Sequence, residues 1–399
     1  MARAGVGTAR ALVSGSGVGI DQAVERLGEL RGLGTKVGQM AGLVEANLPE
    51  DVRARVGPAL RGLRAQAARS PYEAIAALVE EELGARPEAL FTRFDRDPFA
   101  SASLGQVHDA THPDGRHVAV KVQHPGIHEA FTNDLSNVTS LGRVATAFIM
   151  PSEKSRDFIG GVKDGFLAEL DYVREASNTL LFERLVGDDP DLELPRVVAD
   201  RSSTRVLTTT FVEGVPVETA RGWDDATRRR QAAAVRRLVL GALTDHGVLY
   251  ADAHAGNFLF RPSGTVGVLD FGSVFELDAK RRDALRDFRA AVESDDRRAF
   301  GDAVARLLDV DNPRAADAIA ETQWIAIGGL VRGEAGDDAR LRRITARMAE
   351  MKNVLMRERF SLPHFLPFLM RTMMALNALR AALAAPESGP LGRLTPHEP

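Results

Sequence analysis

Two short polar segments, each set beside a short apolar run, constrain the fold of this chain more than any other feature. The first, from Tyr250 to Asn257, reads YADAHAGN; it follows a helical pattern that stops at Gly247 and precedes the strand-like run Phe258–Phe260. The second reads VLDFG, in which Asp270 ends another apolar strand. The two strand-like runs are joined by the turn residues Pro-Ser-Gly, which predicts a compact hairpin. We therefore predict that the polar side chains of the two segments converge.

The spacing within these segments indicates a chemistry. Asp252 and Asn257 are five residues apart. The same offset occurs in the catalytic loop of kinases, where the aspartate orients or deprotonates the attacking hydroxyl and the asparagine amide oxygen ligates Mg²⁺. Asp270, at the end of a strand, is placed to hold Mg²⁺ between nucleotide phosphates. Each segment alone also fits an ordinary polar turn, so the prediction depends on the elements occurring together and in order.

A lysine on an upstream strand supplies the next element. The turn His112–Gly115 is followed by HVAVKVQ, in which the valines share one face of the strand and Lys121 lies on the other. A lysine in this position binds the α- and β-phosphates and is usually held by a carboxylate from a helix. The acidic segment FLAELDYVREASN offers two such carboxylates. We prefer Glu175, which shares a helix face with Asp171, and keep Glu169 as the alternative.

The segment before the lysine strand is where a glycine-rich phosphate loop is expected, but it reads FASASLGQVH. Alanine and serine stand where glycines would permit positive φ and a close approach of the backbone, so this loop is predicted to cover the phosphates differently. The residues predicted to contact the nucleotide here are Ala100, Ser101, Ala102, Ser103, Leu104, Gly105, Gln106 and Val107. After Gly272 there is no Ala-Pro-Glu sequence, and a conventional platform for protein substrates is not expected.

The order of the predicted elements gives the fold class. Residues 20–88 are predicted to form three helices, residues 156–185 and 224–246 are predicted to be helical, and so is the chain after about residue 278. We predict an α+β, bilobal, protein-kinase-like fold. Residues 1–88 would form an N-terminal helical extension, residues 89–215 a lobe with a small antiparallel sheet and inserted helices, and residues 216–399 a mostly helical lobe that carries both polar loops.

Composition narrows the cellular context. The net charge of −4 gives no sign of the concentrated basic surface that nucleic-acid binding requires. The absence of cysteine excludes disulfides and cysteine-ligated zinc, and it suits a reducing compartment. The apolar stretch from Phe360 to Ala385 is interrupted by prolines and arginines, and no run reaches the roughly 18 uncharged apolar residues of a membrane span. We expect a buried or interfacial helix there, and a cytoplasmic protein.

Taken in order, these motifs resemble those of the UbiB/AarF family of atypical kinases, which is linked to ubiquinone and other isoprenoid-quinone biosynthesis. Residues 36–39 look like the family's KxGQ motif, ASASLGQVH like its alanine-rich loop, VAVKVQHPGI like its nucleotide-lysine strand and residues 169–171 like its ExD motif; ADAHAGN and DFG complete the set. The resemblance implies ATP and Mg²⁺ as cofactors. It also implies quinone precursors or lipids as partners, with any membrane contact peripheral and at the inner face.

The resemblance further implies a regulatory element. Lys36 and Gln39, one turn apart on a predicted helix, are similar to residues that fold over the active site near Glu169 and Asp171, where a protein substrate would otherwise enter. Such a plug favours ATP hydrolysis or small-molecule phosphorylation over protein phosphorylation. The sequence departs from the family pattern in its catalytic loop, where Tyr250 replaces a histidine and two alanines replace prolines.

Two other readings remain open at this stage. Small-molecule kinases of the aminoglycoside or choline type share the aspartate–asparagine offset and also lack Ala-Pro-Glu, although they have no counterpart of the KxGQ motif. A pseudokinase that binds nucleotide and organises other molecules without turnover is the alternative that is not an enzyme. The presence of Lys121, Asp252, Asn257 and Asp270 favours turnover.

Overall fold

The computed structural model describes residues 69–101, 104–130, 167–332, 363–385 and 391–394, with isolated positions between 132 and 165 and between 343 and 351. The described residues form two compact units. The first contains the described residues up to 132, residues 160–173 and Val197–Phe211; the second contains Arg174–Arg196 and the described residues from Val212 onward. The predicted helices between residues 20 and 68 lie outside the described residues, as do Lys36, Gln39, Ala102 and Ser103.

Helices dominate the described residues. They are α1 (Tyr72–Leu83), α2 (Pro87–Leu90), α3 (Tyr172–Val186), α4 (Val217–Ala220), α5 (Asp225–Arg236), α6 (Ala242–His246), α7 (Ala279–Glu293), α8 (Arg297–Leu308), α9 (Pro313–Gln323), α10 (Gly329–Arg332) and α11 (Leu366–Ala382). The strands are β1 (Arg93–Phe94), β2 (Ala100–Ser101), β3 (Gly105–Thr111), β4 (His117–Gln123), β5 (Leu192–Glu193), β6 (Val206–Thr210), β7 (Val248–Tyr250), β8 (Phe258–Phe260), β9 (Val266–Val268) and β10 (Val274–Glu276).

The first unit is built on an antiparallel sheet in the order β1-β3-β4-β6, with β2 also paired to β3. In the central hairpin Val107 lies opposite Lys121, and on the other side of β4 Lys121 lies opposite Leu207. The β4 valines are fully buried and pack, with Ile75 and Phe91, in the core between the sheet and α1. The predicted hairpin is therefore confirmed, with Lys121 on the face of β4 away from this core.

In the second unit, short strands frame the two polar segments. Strands β8 and β9 form the predicted antiparallel hairpin, β5 adds to β9 in parallel, and β10 pairs with β7. Helix α5 starts after Asp224, whose carboxylate accepts from the Thr227 amide at 2.9 Å, and continues through a π-helical turn into α6. Gly247, at φ +71°, ends α6 and leads into β7, as the helix-stop pattern predicts.

The helix predicted over residues 156–185 is interrupted. A 3₁₀ turn at Ala168–Leu170 is followed by Asp171 in an extended conformation, and α3 begins only at Tyr172. The Asp171 carboxylate accepts from the Val173 amide at 3.0 Å, so this residue caps a new helix instead of continuing the previous turn. Val173, which an uninterrupted helix would place one turn after the buried Leu170, is 51% exposed. The periodicity missed the break because local capping by an aspartate competes with helix continuation.

The break also separates Glu169 from the rest of the acidic segment. The turn that carries Glu169 belongs to the first unit, and Arg174–Arg196 belongs to the second. The predicted lobe of residues 89–215 contains both of these segments and does not divide them between two units. The physical reason is packing: Phe182 of α3 is fully buried against the rings of Tyr250 and Phe271 in the second unit, at centroid distances of 5.6 and 4.8 Å.

The C-terminal apolar stretch forms α11, and its buried side chains include Phe368, Leu369 and Leu376. The prediction of a buried helix is confirmed. Among the described residues, no helix is both long enough and apolar enough to cross a bilayer. The arginines of α11 are buried as well, and one of them bears on the candidate site.

Candidate active site

The loop that follows β7 is held in one conformation by its own hydrogen bonds. The Asp252 carbonyl oxygen accepts from the His254 amide and from Asn257 Nδ2, both at 2.8 Å, and the Asn257 amide donates to the His254 carbonyl at 3.0 Å. His254 Nδ1 accepts from the Gly256 amide at 3.0 Å, which gives this histidine the structural role of a turn cap. The side chains of Asp252 and Asn257 are thereby fixed relative to each other, and both residues are buried.

Tyr250, the last residue of β7, joins this loop to the VLDFG segment. Its hydroxyl donates to the Asp270 carbonyl at 2.7 Å and accepts a hydrogen bond from the Asn257 side chain. Burial, followed by the negative charges of Asp270 and Asp252, raises the pKa of Tyr250 well above its ordinary value, so the phenol stays protonated and remains a donor. Within the second unit, Tyr250 therefore joins the loop that carries Asp252 and Asn257 to the segment that carries Asp270.

The turn at Asp270–Gly272 is shaped by its own carboxylate. Asp270 Oδ1 accepts from the Gly272 amide at 2.8 Å, and the Leu269 amide donates to the Asn257 carbonyl at 3.0 Å. A Cβ on Gly272 would lie 3.2 Å from Asp270 Oδ1 and 3.3 Å from Glu175 Oε2, which is closer than most side-chain contacts. A side chain here would require both carboxylates to move by a few tenths of an ångström.

One face of α3 holds the same turn from the other side. Glu175, Asn178 and Phe182 follow the spacing i, i+3, i+7 and so share a face. Glu175 lies next to Gly272, Asn178 Nδ2 donates to the Phe271 carbonyl at 2.8 Å, and the ring of Phe182 packs on Phe271. The block that the sequence presents as EASN thus contributes a carboxylate and an amide to the Asp270 turn.

These residues fit a divalent cation bound together with phosphates. The amide nitrogen of Asn257 is used by Asp252 and Tyr250, so the oxygen is the atom of this carboxamide that remains for a ligand. Asp270 is half-buried and brings a carboxylate to the same place. Mg²⁺ prefers oxygen ligands and is usually bound by one or two protein side chains together with substrate phosphates. This donor set satisfies that preference.

An arginine of α11 reaches the loop that follows β7, although in the sequence it is only an interruption in an apolar stretch. The Nε and Nη2 atoms of Arg371 donate to the Ala251 carbonyl at 3.0 and 2.7 Å, and Nη2 lies 3.7 Å from Asp252 Oδ1 and 3.4 Å from Ser273 Oγ. The next residue, Thr372, donates to the Tyr250 carbonyl at 3.1 Å. Helix α11 therefore contacts the strand and the loop that carry Tyr250 and Asp252.

In the first unit the predicted residues gather around Tyr172. Lys121 Nζ lies 5.0 Å from the centroid of the Tyr172 ring, a cation–π geometry. A Cβ on Gly105 would collide with the Val122 carbonyl oxygen and lie 2.9 Å from the Tyr172 hydroxyl oxygen, so only glycine fits this position. Gln123, two residues after the lysine on β4, donates to the Leu170 carbonyl at 2.7 Å. This bond ties the ExD turn to the lysine strand.

The described loop residues divide into two groups. Ala100 is exposed, and Ser101 and Val107 are half-buried. Leu104, Gly105 and Gln106 are buried.

Gln106 has its own partners in the first unit. Its Oε1 accepts from the Ser70 amide at 2.8 Å, and its Nε2 lies 3.0 Å from His108 Nε2. The side chain therefore joins β3 to the residues before α1. The structure does not test the predicted nucleotide contacts of the loop, which stay predictions.

Both carboxylates considered as partners of Lys121 are buried. Glu169 lies in the turn bound to β4, whereas Glu175 lies beside Gly272 in the second unit. The choice between them stays a prediction. Sequence reasoning could have found the placement of Glu175 from the i, i+3, i+7 pattern that it forms with Asn178 and Phe182.

Comparison with known proteins identifies the family. Residues 62–303, more than half of the chain, match the model of the ABC1 atypical kinase-like domain. The chain belongs to this family. The resemblance to the UbiB/AarF atypical kinases is confirmed, and so is the α+β, protein-kinase-like fold class.

Two curated relatives carry atypical-kinase names. The chain is 30% identical over 254 residues to the mitochondrial atypical kinase COQ8B of Rattus norvegicus, covering 63% of this chain and 47% of the relative. It is 29% identical over 257 residues to the mitochondrial atypical kinase COQ8 of Saccharomyces cerevisiae, covering 64% and 50%. The chain thus spans about half the length of these relatives.

A solved structure is similar over nearly the whole chain. It is the complex of Rv3197 with erythromycin from Mycobacterium tuberculosis, with a TM-score of 0.55, 27% sequence identity and coverage of 92% of both chains. The chain therefore contains an atypical kinase-like domain, and its fold is similar to that of this solved structure.

Proposed function

We propose that this protein binds ATP together with Mg²⁺ and either transfers or hydrolyses the terminal phosphoryl group. The observation that carries the proposal is the arrangement in the second unit, where the Tyr250 hydroxyl joins the hydrogen-bonded loop of Asp252 and Asn257 to the segment of Asp270. A carboxylate, an amide oxygen and a second carboxylate, each on a hydrogen-bonded loop, are the parts that phosphoryl transfer requires of a protein. Membership of an atypical kinase family supports the same reading.

Each side chain has a proposed role. Asn257 and Asp270 would hold Mg²⁺, and the metal would supply positive charge to neutralise the charge that develops during transfer. Asp252 orients the attacking hydroxyl or water by accepting its proton in a hydrogen bond. The loop hydrogen bonds at the Asp252 carbonyl keep this carboxylate at a fixed distance from the Asn257 amide, so that acceptor and metal ligand are aligned before substrate binds.

For the first unit we propose that Lys121 binds the α- and β-phosphates. The flat ring of Tyr172 lies beneath its ammonium group and restricts the directions the side chain can take. Gly105 allows the loop before β3 to approach β4 closely, because any side chain there would collide with the Val122 carbonyl. We retain Glu175 as the preferred carboxylate partner of Lys121, with Glu169 as the alternative.

The biological context is proposed from the family resemblance. The UbiB/AarF pattern favours a role in isoprenoid-quinone or lipid metabolism, with quinone precursors or lipids as partners. We place the protein in the cytoplasm, with peripheral contact at the inner face of the membrane. Co-flotation with anionic vesicles tests the membrane contact. Recovery of the protein only in the vesicle-free fraction would contradict it.

A macrolide is a second candidate ligand, for one specific reason. The Mycobacterium tuberculosis protein that resembles this chain over 92% of its length is described in complex with erythromycin. Erythromycin therefore belongs in the ligand set of the binding assay. Stabilisation by erythromycin without any response to ATP would favour a binding module over an enzyme.

The test compares wild type with Asp252→Asn and Asp270→Asn, and with Asp283→Asn as the matched control. Asp283 is an exposed aspartate of α7 that pairs only locally with Arg286. Thermal unfolding is followed with ATP, with Mg²⁺ and with both, and ATP hydrolysis is measured with and without anionic lipid vesicles. Ligand at about 100 times its Kd stabilises by about 2.7 kcal/mol. That is roughly 5–10 °C for a domain of this size.

We expect the wild type and Asp283→Asn to gain stability only when ATP and Mg²⁺ are both present. Asp270→Asn should lose this response because a neutral amide replaces the charged metal ligand. Asp252→Asn should keep it and lose turnover. Stable binding without turnover in wild type would favour the pseudokinase reading. Absence of any nucleotide response in wild type would refute the proposal.

A small-molecule kinase of the aminoglycoside or choline type is tested in the same assay. Such an enzyme requires its own acceptor, so turnover of ATP should rise when aminoglycosides or choline are added. An ATPase of the UbiB/AarF type should respond to vesicles and not to these acceptors. The two outcomes separate the readings without any change of variant.

A further inference from the structure

Arg371 is a buried charge in an apolar helix. Its neighbours on the inner face of α11 include Phe368, Leu369 and Leu376, and only 8% of the arginine is exposed. Removing a guanidinium group from water is unfavourable unless hydrogen bonds replace the lost hydration. The hydrogen bonds of the guanidinium group must therefore account for the buried position of Arg371.

The contacts converge on the peptide that precedes Asp252. Nε and Nη2 both donate to the Ala251 carbonyl, at 3.0 and 2.7 Å. The amide of the same residue, Ala251, donates to the Ser273 carbonyl at 2.8 Å, and Arg371 Nη2 lies 3.4 Å from Ser273 Oγ. Arg371 thus lies where the backbone of the Asp252 loop is bonded to the backbone that follows the Asp270 turn.

The guanidinium group also faces the Asp252 carboxylate, with 3.7 Å between Nη2 and Oδ1. The other carboxylate oxygen lies 3.8 Å from His254 Nε2. Two donors on one carbonyl restrict the orientation of the planar guanidinium group, which leaves Nη2 beside the carboxylate. The Asp252 carboxylate therefore lies between this arginine and a histidine that is itself held by Gly256.

We propose that Arg371 is a positioning residue for Asp252. It fixes the peptide before the aspartate and the direction of the carboxylate, and so makes α11 a part of the active site although the helix carries no residue that touches the reacting atoms. This inference rests on the proposed phosphoryl chemistry for its kinetic consequence. Its structural consequence, an ordered Asp252 loop, does not depend on that chemistry.

The neighbouring residue provides a matched control. Thr372 is fully buried on the same helix, and its hydroxyl lies 3.1 Å from the Tyr250 carbonyl and 2.9 Å from the Phe368 carbonyl, but it has no described contact with Asp252. Thr372→Val keeps the shape of the side chain and removes the hydroxyl that contacts these two carbonyls. Arg371→Gln removes the contact with the carboxylate, and Arg371→Lys keeps the charge while replacing a rigid fork with a single flexible donor.

The experiment combines steady-state ATP turnover with hydrogen exchange of residues 251–257 in the full chain. For Arg371→Gln we expect kcat to fall by about 10–100-fold. Its KM and the concentration of MgATP needed for thermal stabilisation should stay within about threefold, because Asn257 and Asp270 are untouched. Arg371→Lys should recover part of kcat. Exchange in residues 251–257 should be faster in Arg371→Gln and unchanged in Thr372→Val.

The outcomes separate this inference from the proposed function. If Thr372→Val lowers kcat as much as Arg371→Gln does, or if kcat is unchanged in Arg371→Gln, Arg371 only stabilises the fold and the inference is wrong. If wild type does not turn over ATP, the proposed function fails. Hydrogen exchange alone then tests the positioning role of Arg371. Faster exchange confined to Arg371→Gln then supports the positioning role, and equal exchange in both variants overturns it.

Discussion

Replacing Tyr250 by phenylalanine tests the centre of the candidate site with the loss of one oxygen atom. The ring is fully buried against Phe182, Phe258 and Phe271, and phenylalanine retains that packing. What is lost is the hydrogen bond of 2.7 Å to the Asp270 carbonyl and the bond accepted from the Asn257 side chain. The Asp270 carbonyl loses this donor, whereas Asn257 Nδ2 keeps its hydrogen bond to the Asp252 carbonyl.

The size of the expected loss of stability in Tyr250→Phe follows from the burial of this hydrogen bond. Leaving one buried acceptor unsatisfied costs about 1–3 kcal/mol, and about 2 kcal/mol is a reasonable central value here. At roughly 2–4 °C per kcal/mol for a domain of this size, the melting temperature should fall by roughly 4–8 °C. The pKa of Tyr250 is raised well above its ordinary value, so the phenol is a neutral donor in wild type from about pH 6 to about pH 9. The loss of stability in Tyr250→Phe should therefore be the same throughout that pH range.

The assay is thermal unfolding of wild type, Tyr250→Phe and Tyr72→Phe, each with and without MgATP. Tyr72 is half-buried and provides the same chemical change at a solvent-exposed hydrogen bond, since its hydroxyl donates to Glu88 at 2.6 Å. We expect Tyr72→Phe to change the melting temperature much less, since water replaces the lost partner. We also expect Tyr250→Phe to need about tenfold more MgATP for the same stabilisation, because Asp270 and Asn257 lose their common anchor. Equal destabilisation by both variants, or unchanged MgATP dependence in Tyr250→Phe, would refute the reasoning.

Two further predictions concern the first unit and the N-terminal segment. Lys36→Ala should raise any autophosphorylation, measured by transfer of labelled phosphate to the protein, because the KxGQ motif is expected to close the protein-substrate entrance; an unchanged level counts against the plug. His108 Nδ1 donates to the Asp95 carbonyl at 2.7 Å, and burial lowers the pKa of this histidine. The unfolded chain therefore binds more protons than the folded one below about pH 6.5, and the stability of the fold should decrease as the pH falls through that value. Urea unfolding at about pH 7.5 and about pH 5.5 measures the loss, and His108→Gln should show a smaller pH dependence; an equal dependence in both proteins would exclude His108 as its source.

The local sequence pattern was sufficient to predict the elements that form from neighbouring residues. The β3–β4 hairpin followed from alternation around a strong turn sequence, and the β8–β9 hairpin from a Pro-Ser-Gly turn between apolar runs. The stop at Gly247 followed from glycine's tolerance of positive φ. In each case the stabilising contacts are made by residues close in sequence, so the sequence carries the signal directly.

Contacts between residues that are distant in the sequence could not be predicted from the local pattern. Arg371 is 120 residues from Ala251, and in the sequence it is only a charge inside an apolar stretch. Nothing in the local pattern distinguishes an arginine that ends a hydrophobic segment from one that is buried against a loop. The break at Asp171 was missed for a related reason: an aspartate inside a helical pattern can cap a new helix, and periodicity alone does not record that choice.

Tyr250 shows why a departure from the family pattern need not weaken the site. The family pattern has a histidine at this position. The phenol reaches the Asp270 carbonyl as a donor, and its oxygen also accepts from Asn257, so a single atom contacts both of the segments that carry the proposed metal ligands. An uncharged donor beside Asp252 and Asp270 also avoids adding a titratable cation whose charge would vary near neutral pH. The replacement therefore retains the link between the loops and removes a source of pH dependence from it.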